Sequence, residues 1–215
     1  MGGMRTPDSW HTARATVAIA FVTGFTWLAA GIFRVEQWAV LMGAFVPADV
    51  TGDLGFTRLP WVVTPLTATL LHAGIGHLFF NLLIFMFCGR AVEGAVGPRN
   101  LLILYVAGAF VAAAAEFTID PDAAIPMIGA SGAVSAIIGA SAMLFGKNRV
   151  RVANGDLALW LNALWLLVAW VIIQAAVGLV FGQQGLMLAV GAHVGGFVAG
   201  LLLARPLLLW RYRSA

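Results

Sequence analysis

Six apolar runs constrain this chain more than any other feature. A helix needs about 20 apolar residues to cross the hydrocarbon core of a bilayer. The runs lie near 15–33, 61–88, 101–117, 128–145, 157–181 and 186–204. Since 61% of the 215 residues are hydrophobic and only 10% are charged, a soluble domain could not bury this apolar surface. The sequence therefore predicts an all-α, polytopic membrane protein, with six transmembrane helices in a single domain over 1–215.

The positive charges between the runs predict how the chain is oriented. If both termini are cytoplasmic, ten of the twelve Lys and Arg residues lie on that side, and only Arg34 and Arg58 lie on the other. Cytoplasmic loops of membrane proteins carry such an excess. We therefore expect a multi-pass protein with cytoplasmic N- and C-termini. Its minimal layout of six spans is typical of prokaryotic proteins, which predicts a location in the plasma (inner) membrane of a prokaryote. The ten residues are Arg5, Arg14, Arg90, Arg99, Lys147, Arg149, Arg151, Arg205, Arg211 and Arg213.

The distribution of Lys and Arg also indicates which binding partners to expect. A net charge of +3 would suggest nucleic acid in a soluble protein. Here the basic residues are accounted for by their collection on one side of a membrane. We expect the lipid bilayer as a partner and no nucleic acid.

Two segments depart from a plain helical bundle. The stretch 34–60 mixes aromatic residues, charges and prolines, which suits a loop lying in the outer membrane interface. Before the fourth run, Pro121 and Pro126 disfavour continuous helix, so a short helix is expected to start near Ser131. Non-helical backbone at membrane depth is tolerated only where it is buried in protein or lines a water-filled cavity. Ser131 is therefore predicted to lie at a helix N-terminus beside polar space.

Polar side chains inside the runs are costly in lipid, and they usually mark function or helix–helix contacts. The second run contains His72, His77 and Asn81, and the sixth contains His193. His77 and Asn81 are four residues apart, which places them on one helical face.

Small residues predict which helices approach closely. In the sixth run, Gly191 and Gly195 form one small-xxx-small pair, and Gly196 and Gly200 form another. The fourth run is the expected partner, with small residues at Gly132, Ala136, Gly139 and Ala140. That approach would bring His193 towards Ser131.

A serine and a histidine brought together in this way suggest nucleophilic catalysis. A neutral imidazole at hydrogen-bond distance can take the proton of a serine hydroxyl. Apart from Glu116 near an end, no carboxylate falls inside the runs, which favours a Ser131–His193 dyad without a third acid. The oxyanion would be stabilised by backbone N–H groups at the helix N-terminus, with side-chain donors from Asn81 and His77. This chemistry needs no cofactor or metal ion.

Four motifs, together with their order along the chain, resemble the rhomboid intramembrane serine proteases. They are "GASG" around Ser131, "HLFFN" after "LLHAG", "GRAVEGAVG" after the second run and "AHVGGFVAGLL" around His193. The resemblance covers about residues 15–205 and implies an intramembrane serine endopeptidase that cleaves transmembrane protein substrates near the outer membrane face.

The resemblance also implies a role for individual residues. Ser131 would be the nucleophile and His193 its base. The oxyanion hole would comprise His77, Asn81 and the backbone N–H of Ser131. Further family positions are the site-shaping Gly129 and Gly132 and the structural residues His72 and Glu93.

Two positions depart from the family pattern. Many members carry Trp-Arg in the first loop, where this chain has Trp61 and Val62. Many also carry an aromatic residue four positions after the nucleophile, stacked on the catalytic histidine, where this chain has Ser135. Both differences bear on the rate of the expected cleavage, but neither removes a reacting group.

Three alternatives remain at the level of sequence. Taken alone, Ser131 fits a packing residue in a small-residue helix. A rhomboid-like fold can also be a catalytically weak or inactive module that binds membrane proteins. A transporter or channel would use the histidines as a proton relay, but its polar residues should be distributed through the whole bilayer rather than concentrated in the outer halves of the runs.

Overall fold

The chain folds almost entirely into helices. The computed structural model describes residues 13–52, 58–146, 155–180 and 189–213. Within these ranges it contains no β-strand, only an isolated bridge between Phe45 and Met127. The helices are α1 (Arg14–Phe33), α2 (Glu36–Gly43), α3 (Ala48–Thr51), α4 (Thr64–Thr67), α5 (Ile75–Val96), α6 (Pro98–Ile119), α7 (Ser131–Phe145), α8 (Gly155–Val180) and α9 (Val190–Tyr212).

Four of these helices are long and apolar enough to cross a membrane. They are α1, α5, α6 and α9, with 20 to 23 residues each. α7 has 15 residues, and the apolar stretch Trp160–Ile173 of α8 is also shorter than a full span. Large apolar side chains on α1, such as Phe21 and Phe25, point away from the protein, as expected for a surface that faces lipid. The predicted class, an all-α membrane protein with several spans, is confirmed.

The second apolar run contains a shorter helix than its expected bounds of 61–88. α5 begins at Ile75, and the chain before it forms α4, a 3-10 turn over Ala68–Leu70 and an extended residue at Leu71. Hydrogen bonds explain this interruption: Thr67 Oγ1 donates to the carbonyl of Gly43 at 2.7 Å, and the carbonyl of Ala68 accepts from the Gly129 N–H at 2.9 Å. Thr67 and Ala68 are thus bonded to other parts of the protein at the point where the chain does not continue the helix.

Other predicted bounds differ less or lie outside the described residues. In the sixth run, α9 extends to Tyr212 rather than ending near 204, and residues 186–188 are outside the described ranges. Four of the residues behind the orientation argument are also outside these ranges: Arg5, Lys147, Arg149 and Arg151.

The segment between α1 and α5 is partly helical and is held by a buried ion pair. Arg58 Nε lies 2.9 Å from Asp49 Oδ2, and both side chains are about nine-tenths buried. Arg58 also donates to the carbonyl of Ala44 at 3.1 Å. Val62 supplies no charged side chain to this segment, and Arg58 provides its anchoring contact.

Glu93 caps the N-terminus of α1 from the neighbouring helix α5. The first N–H groups of a helix have no partner within it, and Ala13, the N-cap residue of α1, has no side-chain acceptor. The buried carboxylate of Glu93 accepts from the N–H groups of Ala15 and Thr16 at 2.9 and 2.8 Å, and from Thr16 Oγ1 at 2.7 Å. Its negative charge also complements the positive end of the α1 dipole. Glu93 therefore joins two membrane helices.

α7 lies at the centre of the bundle, and glycine lets α9 approach its backbone. A Cβ atom at Gly196 would overlap the carbonyl oxygen of Gly132, and one at Gly200 would overlap that of Ala136. Gly139 of α7 faces the carbonyl of Phe197 in the same way. The predicted approach of these two small-residue helices is therefore present.

The second glycine pair of α9 faces a different helix. A Cβ atom at Gly191 or Gly195 would overlap side chains of α6, namely Ile119 and Ala115. Only one pair therefore packs on α7. Because Gly195 and Gly196 are adjacent, they point in different directions around α9 and let it pack closely on two helices at once.

The α7–α9 contact generates a stability prediction. Gly200→Ala should destabilise the protein by about 1–3 kcal/mol, because the added methyl overpacks a backbone contact that cannot yield without separating the helices. Gly24→Ala is the matched control, since a Cβ atom there lies at an ordinary 3.8 Å from Leu82. Thermal unfolding in detergent should show a lower midpoint for Gly200→Ala only. Equal midpoints for the two variants would contradict the packing argument.

Candidate active site

Ser131 is the first residue of α7, and a glycine turn places it there. Gly129 has a φ of +110°, in the left-handed region that favours glycine. Its N–H donates to the carbonyl of Ala68, which ties the turn to the chain before α5. Ser131 is 9% exposed. The hydroxyl therefore lies at a buried helix N-terminus.

The non-helical chain before Ser131 is held by the segment that follows α1. Phe45 and Met127 exchange two backbone hydrogen bonds of 2.7 and 3.2 Å, and the N–H of Ala48 donates to the carbonyl of Ala123 at 3.1 Å. These bonds satisfy backbone groups that would otherwise be costly inside a membrane protein. They also position the turn that leads into α7.

Two histidines lie against this turn. A Cβ atom at Gly129 would lie 2.6 Å from Cε1 of His77, so the imidazole occupies the space that a side chain would need. The N–H of Ala130 donates to Nε2 of His72 at 3.4 Å. The two imidazole centroids are 5.0 Å apart. His77 is thus adjacent to the backbone that precedes Ser131, and His72 supports that backbone with a hydrogen bond.

Asn81 lies one turn along α5 from His77, as its spacing predicts. The side chain is fully buried, and Nδ2 donates to the carbonyl of His77 at 2.8 Å. One of its two amide hydrogens remains for another acceptor. Oδ1 is buried without a hydrogen-bond partner in the described part of the chain.

His193 lies on α9 at the level where that helix meets the start of α7. A Cβ atom at Gly132 would lie 3.9 Å from the carbonyl oxygen of Ala192, so the residues next to Ser131 and His193 face one another. The imidazole is 3% exposed, and neither ring nitrogen has a hydrogen-bond partner among the described residues. The helices that carry the two side chains therefore meet, while the bond from the Ser131 hydroxyl to the imidazole is not formed.

Trp170 of α8 is a site residue that the sequence did not reveal. Its indole packs against His193 edge to face, with ring centroids 6.2 Å apart and an interplanar angle of 89°. Its Nε1 donates to Ser135 Oγ at 2.7 Å. Serine in place of an aromatic residue at 135 hints that a large side chain comes from elsewhere. That hint does not distinguish Trp170 from Trp160 or Trp165 in the same run.

Glu116 of α6 caps the helix that carries His193. Its Oε2 accepts from the N–H of Ala192 at 3.0 Å, while Ala189, the N-cap residue of α9, has no side-chain acceptor. The carboxylate is therefore bound to the N-terminal backbone of α9, immediately before His193. Among the described residues, no three His, Cys, Asp or Glu side chains are grouped to hold a metal ion.

The part of the chain that contains the candidate site is similar to known proteins. The family model for the Rhomboid domain matches residues 61–210, which include every residue of the candidate site. The chain is 32% identical to "Rhomboid protease GluP" of Bacillus subtilis (strain 168) over 142 residues, which are 66% of this chain and 25% of that protein.

Two further relatives match with similar identity. "Rhomboid protease GlpG" of Enterobacter sp. (strain 638) is 28% identical over 186 residues, covering 81% of this chain and 63% of the relative. "RHOMBOID-like protein 12, mitochondrial" of Arabidopsis thaliana is 31% identical over 134 residues, covering 54% and 39%. The matches therefore span less than two thirds of each relative's own length.

The cap on α9 generates a second stability prediction. Glu116→Ala should cost about 1 kcal/mol, the usual loss when a capping acceptor is removed, because the Ala192 N–H loses its partner. Glu116→Gln is the matched variant and should lose less, since an amide oxygen can accept the same bond. Thermal unfolding in detergent measures both. A Glu116→Ala protein that unfolds at the wild-type temperature would contradict the capping role.

Proposed function

Since the chain belongs to the rhomboid family, we propose that it is an intramembrane serine endopeptidase that cleaves transmembrane protein substrates through Ser131 and His193. One observation carries the proposal. The start of α7 and the His193 level of α9 are in backbone contact, and His193 presents buried nitrogens that no described residue occupies. A general base needs a nitrogen that is free to accept a proton.

The proposed reaction proceeds through an acyl-enzyme. Ser131 Oγ attacks the carbonyl carbon of the scissile peptide while the His193 imidazole takes the hydroxyl proton. The imidazolium then gives that proton to the leaving amine as the peptide C–N bond breaks. A water molecule attacks the resulting ester, its proton passes to His193 and then to Ser131 Oγ, and the carboxylic acid product leaves.

The proposed donors for the oxyanion come from the start of α7 and from α5. The N–H of Ser131 belongs to the first turn of α7, where backbone N–H groups have no acceptor within the helix. His77 lies against the turn at Gly129, and Asn81 is one helical turn away. The positive end of the α7 dipole adds to their effect. A single donor of this kind stabilises a transition state by about 3 kcal/mol.

The dyad hydrogen bond would tighten during catalysis. Catalytic hydrogen bonds are often long or poorly aligned without substrate and become short in the complex. Both side chains are buried on helices that are in contact, and we propose that the bond forms when a substrate binds.

We further propose that six helices cross the membrane: α1, α5, α6, α7, α8 and α9. α7 is the fourth span and begins at the nucleophile. Its 15 residues extend about 22 Å, less than the roughly 30 Å hydrocarbon core, so Ser131 lies below the membrane surface. By the charge distribution, both termini are cytoplasmic and the site opens on the opposite face of a prokaryotic plasma membrane.

The alternative is a rhomboid-like module that binds transmembrane helices without cleaving them. The serine at position 135, where many family members carry an aromatic residue, is the observation that favours it. Both functions use the same fold, so only a measurement of cleavage separates them.

Substitution of the dyad tests the proposed activity. Ser131→Ala and His193→Ala should each lower cleavage of a model transmembrane substrate by about 10³-fold or more, because nucleophile and base act as one unit. Ser141→Ala is the matched control, about three turns along the same helix, and should cleave at the wild-type rate. Product would be quantified on gels after reconstitution in liposomes. Cleavage that survives both dyad substitutions would refute the assignment.

A fluorophosphonate probe tests the nucleophile without a protein substrate. Ser131 Oγ should displace fluoride from phosphorus and form a stable covalent adduct, because the probe's phosphoryl group mimics an attacked carbonyl. Peptide mass spectrometry should locate the adduct at Ser131, and His193→Ala should slow labelling because the base is lost. Labelling that persists in Ser131→Ala would identify another nucleophile.

A further inference from the structure

The imidazole of His193 needs an orienting contact that hydrogen bonding does not supply. Neither of its nitrogens has a partner in the part of the chain that the structure describes. In a dyad the base has no carboxylate to orient it, and the nearby carboxylate of Glu116 is bound to the backbone of α9. Packing must therefore hold the ring at the angle from which it can reach Ser131.

The indole of Trp170 is the aromatic ring found against this imidazole. The two rings meet edge to face at 89°, a favoured geometry for aromatic pairs. Trp170 is 2% exposed, so it contributes almost no surface to lipid or water. Its neighbour Trp165 on the same helix is 64% exposed. Trp170 is therefore a buried packing residue, whereas Trp165 faces outward.

The position of Trp170 is itself set by the helix that carries the nucleophile. Trp170 Nε1 donates to Ser135 Oγ at 2.7 Å, and Ser135 Oγ donates to the carbonyl of Ser131 at 2.7 Å. A hydroxyl can accept one bond and donate another, so both are satisfied together. A continuous chain of contacts therefore runs from the Ser131 backbone, through Ser135 and Trp170, to the ring of His193.

We infer that Trp170 is the positioning residue that holds the His193 imidazole for the Ser131 hydroxyl, with Ser135 fixing the indole in place. This inference rests on the proposed protease function. Trp170 touches no reacting atom and acts through His193. Ser135 has two roles: its small side chain leaves room for the indole, and its hydroxyl accepts the indole N–H.

The first experiment separates positioning from stability. In a reconstituted enzyme cleaving a model transmembrane substrate, Trp170→Leu should lower kcat about 10- to 100-fold, since a misplacement near 1 Å can cost that much. KM should stay within about twofold, because the substrate-binding surface is unchanged. Trp165→Leu is the matched control, with the same change on the same helix, and should keep the wild-type kcat.

Trp170→Phe covers the case in which the leucine variant does not fold. It keeps an aromatic ring against His193 but loses the N–H donor to Ser135, so it should fall between the wild type and Trp170→Leu in kcat. Thermal unfolding in detergent would be measured on each variant. A kcat loss in Trp170→Phe without a comparable fall in unfolding temperature supports positioning.

A rescue variant gives the sharpest test. Ser135→Tyr combined with Trp170→Ala removes the indole and supplies an aromatic ring from α7, into the space that the indole vacates. It should restore kcat at least about fivefold over Trp170→Ala alone, because any ring that packs on His193 can orient it. A residue with a purely structural role in α8 would not be replaced by a side chain on α7.

Different results would overturn the protease function and the positioning role of Trp170. A wild-type protein that does not cleave, or a Ser131→Ala variant that does, overturns the protease function itself. If the wild type cleaves and Ser131→Ala does not, two results overturn only the role of Trp170. One is a Trp170→Phe variant with the wild-type kcat. The other is loss of activity in step with lost stability, with no rescue by the Ser135→Tyr, Trp170→Ala double variant.

Discussion

The structure depends on the backbone contact between α7 and α9 that Gly196 and Gly200 permit. Helices in lipid gain little from the hydrophobic effect, because the lipid chains are as apolar as the side chains, so close van der Waals packing must hold them together. Carbonyl groups of α7 lie directly against α9 at both glycines. This contact fixes the two helices at one level and thereby brings Ser131 and His193 into the same region of the protein.

Two carboxylates, the buried one of Glu93 and the half-buried one of Glu116, stabilise this arrangement by capping helices. Glu93 binds the N-terminus of α1, and Glu116 binds the N-terminus of α9, each from a different helix. A carboxylate inside a membrane protein is costly unless it is hydrogen-bonded. The N–H groups at a helix start, with their partial positive charge, satisfy it. The Glu116 carboxylate therefore binds the backbone before His193. The proposed dyad thus has no third acid from this residue.

Much of the fold could be predicted because apolar length and period are properties of local sequence. The runs that contain α1 and α6 gave bounds close to those of the helices. The second run did not, since residues 61–74 are as apolar as a span but bind Gly43 and Gly129 through Thr67 and Ala68. Such bonds join residues far apart in the chain, and hydropathy does not register them.

For the candidate site, the sequence by itself determined which groups are candidates: Ser131, His193, His77 and Asn81 stand out because polar side chains are rare in apolar runs. Only the tertiary structure decided how those groups are held. The contact of Trp170 with His193 joins two helices through aromatic packing. The sequence of the fifth run does not distinguish Trp170 from the other two tryptophans in it. Motifs identify reacting groups by type, whereas orientation comes from packing between helices, which no local pattern encodes.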